Sequence, residues 1–120
     1  MKYLLLIYNN RATIESWSEE ERNAIFGEVG TIMDELKQTG ELVGGEALAN
    51  PEQTKTVRVR DGVPAITDGP FAEAKEQLAG FLTVDCETPE RATEIAARWP
   101  DAHLWAMEVR PLMDQGGAEM

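Results

Sequence analysis

The sequence has little cysteine and little histidine, with one of each among 120 residues, Cys86 and His103. A lone cysteine cannot form an internal disulfide, and the pair falls short of the four nitrogen and sulfur ligands that a structural zinc ion takes. The apolar run in MKYLLLIYNN is too short for a signal peptide or a membrane span. These absences predict a cytoplasmic protein without a metal, a cofactor or a membrane segment.

Basic residues are scarce as well, because 11 lysines and arginines face 22 acidic residues and the net charge is −11. Nucleic acids and anionic membrane surfaces bind to cationic patches. Neither half of the chain has an excess of positive charge, so we expect no direct contact with either. The length suits one compact domain, predicted over residues 1–112, with a flexible tail at 113–120.

Hydrophobic periodicity predicts an alternation of strands and helices. Ser18 and Glu21 form a capping-box pattern at the start of the first helix, and Asp61-Gly62 is a strong hairpin signal. The helices are predicted at residues 18–39 and 88–100, and the strands at 2–8, 41–48, 54–60, 63–67, 80–85 and 104–110. Apart from the hairpin arm this order is βαββαβ, which predicts an α+β, ferredoxin-like fold with both helices on one sheet face.

Period-two alternation separates the strand residues into two faces. The apolar set suited to the helices is Tyr3, Leu5, Ile7, Val57, Val59, Leu82, Val84, Trp105, Met107 and Val109. The alternate set is Leu4, Leu6, Tyr8, Arg58, Arg60, Phe81, Thr83, Ala106, Glu108 and Arg110. Two interpretations of this mixed face stay open: a symmetric dimer with a polar cavity between two sheets, or a solvated face with cross-strand salt bridges.

A long motif then indicates a family. The stretch Asp68-Gly69-Pro70-Phe71, continued by AEAKEQLAGF, with VRVRDG before it and EVRP after it, resembles the DGPF-type branch of the YCII-related family. The resemblance runs from KYLLLIY to EVRP and implies a dimeric, ferredoxin-like α/β barrel of mostly uncharacterised function. Some relatives of the broader family are lyase-type or dehydrochlorinase enzymes of aromatic degradation. DGPF-type members often accompany extracytoplasmic-function sigma factors.

The chain departs from those enzymes at the histidine. The resemblance implies a histidine on the first helix, oriented by an aspartate near the second, but residues 18–39 contain no histidine. His103 follows the second helix, and Asp101 lies two residues before it. Family members also tend to carry glycine where this chain has Trp105.

The motif has a structural and a functional interpretation. In the structural interpretation, Asp68-Gly69-Pro70 forms a turn, since all three residue types favour turns, and Phe71 then anchors the loop in the core. Alternatively, Asp68, Lys75 and Glu76 project toward a cavity, where Lys75 could hold an anionic group of a ligand.

Two functions remain open from the sequence. The first is a small homodimeric enzyme or binding protein for a small organic molecule, anionic or aromatic, with cofactor-free lyase-like or dehydrochlorinase-like chemistry if it is an enzyme. Its candidate catalytic residues are Asp68, His103 and Glu108, and its candidate ligand-binding residues are Tyr8, Arg58, Lys75, Glu76 and Arg110. The second is a non-catalytic regulatory module associated with an extracytoplasmic-function sigma factor, motivated by the net charge of −11 and the family association.

Overall fold

A computed structural model of the chain describes residues 1–114 and 116–119 and has an α+β architecture. The strands are β1 (Lys2–Asn9), β2 (Leu42–Ala47), β3 (Lys55–Arg60), β4 (Val63–Asp68), β5 (Gln77–Asp85) and β6 (Ala106–Pro111). The helices are α1 (Arg11–Ser16), α2 (Glu19–Thr39), α3 (Pro89–Arg98) and α4 (Pro100–Leu104), and Pro51–Gln53 is a short 3₁₀ helix. In the predicted tail, Met113 and Glu119 form an isolated bridge, while Gln115 and Met120 lie outside the described residues.

Four strands form the main sheet in the order β2-β5-β1-β6, and every neighbouring pair is antiparallel. With α2 connecting β1 to β2 and with α3 and α4 connecting β5 to β6, this order is compatible with the predicted ferredoxin-like arrangement. The predicted α+β class is therefore confirmed. The dimeric barrel stays a prediction, because the structure contains a single chain.

The start of α2 follows from local sequence. Glu21 donates its backbone N–H to the Ser18 hydroxyl at 3.1 Å, and the Glu21 carboxylate accepts from the Ser18 backbone N–H at 3.4 Å. This capping box satisfies amides that have no partner inside the helix. Gly40 ends the helix with φ of 80°, a conformation that glycine adopts without strain. Both predicted ends of the helix are confirmed.

The core lies between one face of the main sheet and the helices. Its buried members on the sheet are paired across strands, Tyr3 with Val84 and Leu5 with Leu82. Helices α2 and α3 cover this helix-facing side of the sheet. They contribute Ile32, Leu36, Ala92, Ile95 and Ala96, and Trp99 follows them. The period-two alternation of side chains along β1 and β5 thus predicted correctly which face of the sheet the helices cover.

Two members of the predicted helix-facing set are placed differently. Val57 and Val59 lie in a separate two-stranded hairpin, formed by β3 and β4, and are 58% and 55% exposed. Alternation identifies the two faces of a strand but not the sheet to which the strand belongs, so the assignment of these two valines was wrong. Trp105 lies on the helix side as predicted, but it caps α4 and precedes β6, which begins at Ala106 and not at residue 104.

The β3–β4 hairpin, residues 55–68, is hereafter called the arm. Asp61 and Gly62 both have positive φ at its turn, 53° and 76°, which confirms the predicted hairpin. Among the described residues, no fully buried side chain lies between residues 48 and 76. The arm therefore stands outside the core of the chain.

Candidate functional site

A cavity of about 300 Å³ lies between the helix-facing side of the main sheet and helices α1, α2 and α4. Its walls are mainly apolar side chains from α2 and from the segments on either side of it. They include Ile7, Ile14, Ile25, Phe26, Val29, Met33, Leu82 and Leu104. This volume is at the lower end of the range for small-molecule sites in proteins.

Two glycines of the sheet leave this space open. Gly45 on β2 is paired with Leu82, and Gly80 on β5 is paired with Ile7, so both occupy helix-facing positions. A Cβ atom would lie 2.5 Å from the Phe81 carbonyl oxygen at Gly45, and 2.8 Å from the Glu46 carbonyl oxygen at Gly80. The close approach of β2 and β5 excludes side chains at both positions, and the floor of the cavity is bare backbone.

The three tryptophans of the chain all line the cavity. Trp17, at the end of α1, stacks on Trp105, with ring centroids 6.0 Å apart and an interplanar angle of 28°. Trp99 is buried in the core beneath them, with 4% of its surface exposed. Large planar rings give the site a wall suited to flat apolar molecules.

Polar groups are few in this site, and Asp101 is the most perturbed of them. Asn9 donates an amide N–H to the Asp101 Oδ2 at 3.2 Å. Burial raises the pKa of the Asp101 carboxyl above its ordinary value, against the hydrogen bond from Asn9, which lowers it. The cavity thus presents the carboxyl of Asp101, hydrogen-bonded to the amide of Asn9, and the carboxyl of Glu46 within mostly apolar walls.

None of the eight site residues predicted from sequence lines this cavity. Three of them meet on the opposite side of the main sheet, which is hereafter called the open face. The pKa of Tyr8 is raised, chiefly by hydrogen bonding to the Glu108 carboxylate, then by burial, while the charge of Arg110 lowers it. Glu108 and Arg110 are both exposed on β6, an edge strand.

Two more predicted residues belong to the arm. Asp68 forms an ion pair with Lys55 across the hairpin. The Arg58 guanidinium lies 4.8 Å from the centroid of the Phe71 ring, a cation–π contact. Phe71 is 74% exposed, so the expectation that it anchors the loop in the core was wrong. The reason is that the arm and the following loop stand away from the body.

The remaining predicted residues lie at the periphery. His103 is exposed on α4, although Asp101 and Leu104 on the same helix line the cavity. Lys75 borders a different cleft, and Glu76 is exposed just before β5. Catalytic and ligand-binding roles for these eight residues stay predictions.

Sequence reasoning missed the residues that build the cavity. Asp101 was considered only as a neighbour of His103, and Trp17 was given no functional role. A signal was present in Gly45, because a glycine inside a strand marks a close approach of backbone or of a ligand. Helix α1 was also missed, since its six residues show no helical periodicity.

Within residues 1–114 and 116–119, no three metal-ligating side chains cluster together. None of the helices in that part of the chain is long and apolar enough to cross a membrane.

Comparison with known proteins gives two matches. The sequence profile of a family described as YCII-related domain matches residues 1–115. An uncharacterised protein of Rhizobium meliloti (strain 1021) is 32% identical over 114 residues, which cover 93% of this chain and 92% of that protein. The description of this relative names no ligand or reaction.

Proposed function

The chain belongs to the YCII-related domain family, and from this premise we propose that it binds a small, uncharged, largely apolar organic molecule in the cavity beneath α1 and α2. The observation that carries the proposal is a space of about 300 Å³ with tryptophan walls and a half-buried, hydrogen-bonded carboxyl. A dry apolar cavity of about 150 Å³ holds a benzene ring, so the space is sufficient for about two fused rings.

The charge of the site favours a neutral ligand over an anion. Glu46 and Asp101 are the acidic residues of the lining, and no lysine or arginine among the described residues lines it. An anionic group placed here would be desolvated beside carboxylates without a cation to pair with. A hydroxyl or carbonyl substituent can instead exchange hydrogen bonds with the Asp101 carboxyl and the Asn9 amide.

Asp101 is also the residue in this cavity best suited to move a proton. Its raised pKa makes the carboxylate a stronger base than an ordinary aspartate. The resemblance to enzymes that use an aspartate near the second helix supports this role. The missing histidine on α2 means that any such reaction would proceed without a histidine from that helix.

The test uses the fluorescence of the three cavity tryptophans. We expect 2-naphthol to change the emission saturably and 2-naphthoate, which has the same rings and a negative charge, to bind at least about tenfold more weakly. Val29→Phe fills the cavity and should abolish binding, whereas Ala24→Phe, on the exposed side of α2, should bind as the wild type does. Equal affinity for the two compounds, or full binding by the Val29→Phe variant, would contradict the proposal.

We also propose that the protein is a homodimer that buries the open face. Leu4 and Leu6 on β1, with Phe81 opposite Leu6 on β5, give this face an apolar centre that is half-exposed in the single chain. Helices α2 and α3 pack on the other side of the sheet. A second copy related by a two-fold axis would cover this centre and leave Tyr8 and Glu108 at its border.

A further inference from the structure

A second cleft, of about 420 Å³, lies where the junction of β1 and α1 meets the short 3₁₀ helix and the start of β5. It is separate from the apolar cavity, although Asn9 lines the cavity and the next residue, Asn10, lines the cleft. Two basic residues border it, Arg11 from α1 and Lys75 from the loop before β5. Glu52 is the one acidic residue of its lining.

Arg11 carries a buried hydrogen-bond donor that has no acceptor in the part of the chain that the structure describes. Its Nε atom is buried and, among all described residues, is the one buried side-chain nitrogen or oxygen without a hydrogen-bond partner. Within the described chain, no carboxylate lies within 4.0 Å of the charged groups of Arg11 or Lys75. Because a buried donor without an acceptor is costly, such a group calls for an explanation.

The asparagines of the cleft add further donors. The Asn10 Oδ1 accepts the backbone N–H of Thr13 at 3.2 Å, and the Asn50 Oδ1 accepts that of Glu52 at 3.4 Å. With both oxygens engaged by backbone amides, the side-chain NH₂ groups remain available to donate. The lining is therefore rich in donors, and its two cations outnumber the single carboxylate of Glu52.

We propose that this cleft binds a small oxyanion group, a carboxylate or a phosphate. The Arg11 guanidinium at the wall of the cleft supplies N–H donors, and Lys75 supplies a second positive charge. Glu52 weakens the site by repulsion and limits its affinity. The proposal stands independently of the apolar cavity, because the two sites share no lining residue.

The test is a titration of the ¹⁵N-labelled protein with acetate and, separately, with inorganic phosphate. We expect saturable shifts of the backbone amides of residues 10–12 and of Lys75. Arg11→Gln and Lys75→Gln should each weaken binding by about tenfold or more. Arg22→Gln, which makes the same change in net charge on α2, should leave the affinity unchanged. The anion that binds more tightly identifies the preferred chemistry.

Glu52→Gln provides a test in the opposite direction, because removing the opposing carboxylate should tighten anion binding several-fold. This variant keeps the proposal falsifiable if Arg11→Gln fails to fold. Shifts that rise linearly with salt, equal losses in the Arg22→Gln and Arg11→Gln variants, or unchanged affinity in the Glu52→Gln variant would each overturn the proposal.

Discussion

Asp101 is a half-buried carboxyl whose ionisation costs stability in the folded protein. Burial raises its folded-state pKa, which means that the ionised carboxyl is less stable in the fold than in the unfolded chain. Below the unfolded pKa of about 3.9 the group is neutral in both states and carries no penalty. The penalty appears as the pH rises through the folded-state pKa. Asn9 offsets a part of it through its hydrogen bond.

We therefore expect Asp101→Asn to stabilise the protein at pH 7 and to raise its Tm, because the substitution removes the ionisable group whose charged form burial disfavours. The asparagine oxygen can still accept the hydrogen bond from Asn9, so the geometry is kept. Thermal unfolding at pH 7 and at pH 3 measures the effect, which should disappear at the lower pH. Asp34→Asn, on the exposed side of α2, is the control and should show no such gain. A gain that is the same at both pH values would exclude ionisation as its cause.

The pKa of Glu41 is shifted in the opposite direction, below its ordinary value. Arg91 donates two hydrogen bonds of 2.8 Å to its carboxylate, and Thr39 donates a third. These contacts join the start of β2 to α3 and hold the pKa of Glu41 at about 2, against an ordinary 4.5. The stabilisation is complete above about pH 4.5 and is lost as the pH falls through the folded-state pKa.

Glu41→Gln should accordingly destabilise the protein at pH 7 by about 2 kcal/mol, because Arg91 then keeps only its contact with the exposed Glu94 carboxylate. The difference from the wild type should close between about pH 4.5 and pH 2 in urea unfolding. The matched control is Glu35→Gln. Glu35 pairs with Arg98 but is 48% exposed, so its loss should cost less. Equal losses for the two variants would argue against the role of burial.

At the scale of elements, α2 depends on its first turn. Ser18 and Glu21 close the capping box, and three glutamates, residues 19–21, lie where the helix dipole favours negative charge. We expect Ser18→Ala to reduce the free energy of unfolding by about 1 kcal/mol. Ser18→Asp, which keeps a side-chain acceptor, should retain most of the stability in urea unfolding. The role of the cap would be refuted if both variants lost the same amount.

The contrast between α2 and α1 shows what the sequence could reveal. The capping box of α2 is local, and the sequence alone predicted the helix ends. Helix α1 has six residues and depends on Asn10, whose Oδ1 accepts from the Thr13 N–H, and no helix was predicted at residues 11–16. Pro100, expected to end a helix, begins α4, in agreement with the preference of proline for the first turn.

The cavity was harder to foresee because its parts are distant in the sequence. Gly45 and Gly80 create space only because β2 and β5 are paired, and Asp101 becomes perturbed only because α4 folds against β1. Alternation along β1 predicted burial correctly, since each residue's face follows from its position. It assigned Val57 wrongly, since membership in a sheet is a long-range property.

At the scale of the whole molecule, the arm gives the chain an extended outline of 49 × 46 × 18 Å. Register places Val57, Val59, Pro64 and Ile66 on one side of the hairpin, and Arg58, Arg60, Val63 and Ala65 on the other. A two-stranded hairpin alone is marginally stable in water. The apolar side therefore favours contact with a second copy of the chain, in agreement with the proposed homodimer.

Two residues of β4 allow a matched test of that contact. Ile66 and Val63 are 66% and 65% exposed, and they lie on opposite sides of the same hairpin. If the apolar side meets a second copy, Ile66→Glu should weaken self-association at least about tenfold in sedimentation equilibrium, because it places a charge in an apolar contact. Val63→Glu, on the arginine side, should leave the association constant nearly unchanged. Both variants should fold, since the core contains no residue of the arm. A wild-type protein that is monomeric at high concentration would refute the homodimer. If neither substitution changed the association constant of a dimeric wild type, the arm would lie outside the interface, which would then be limited to the open face.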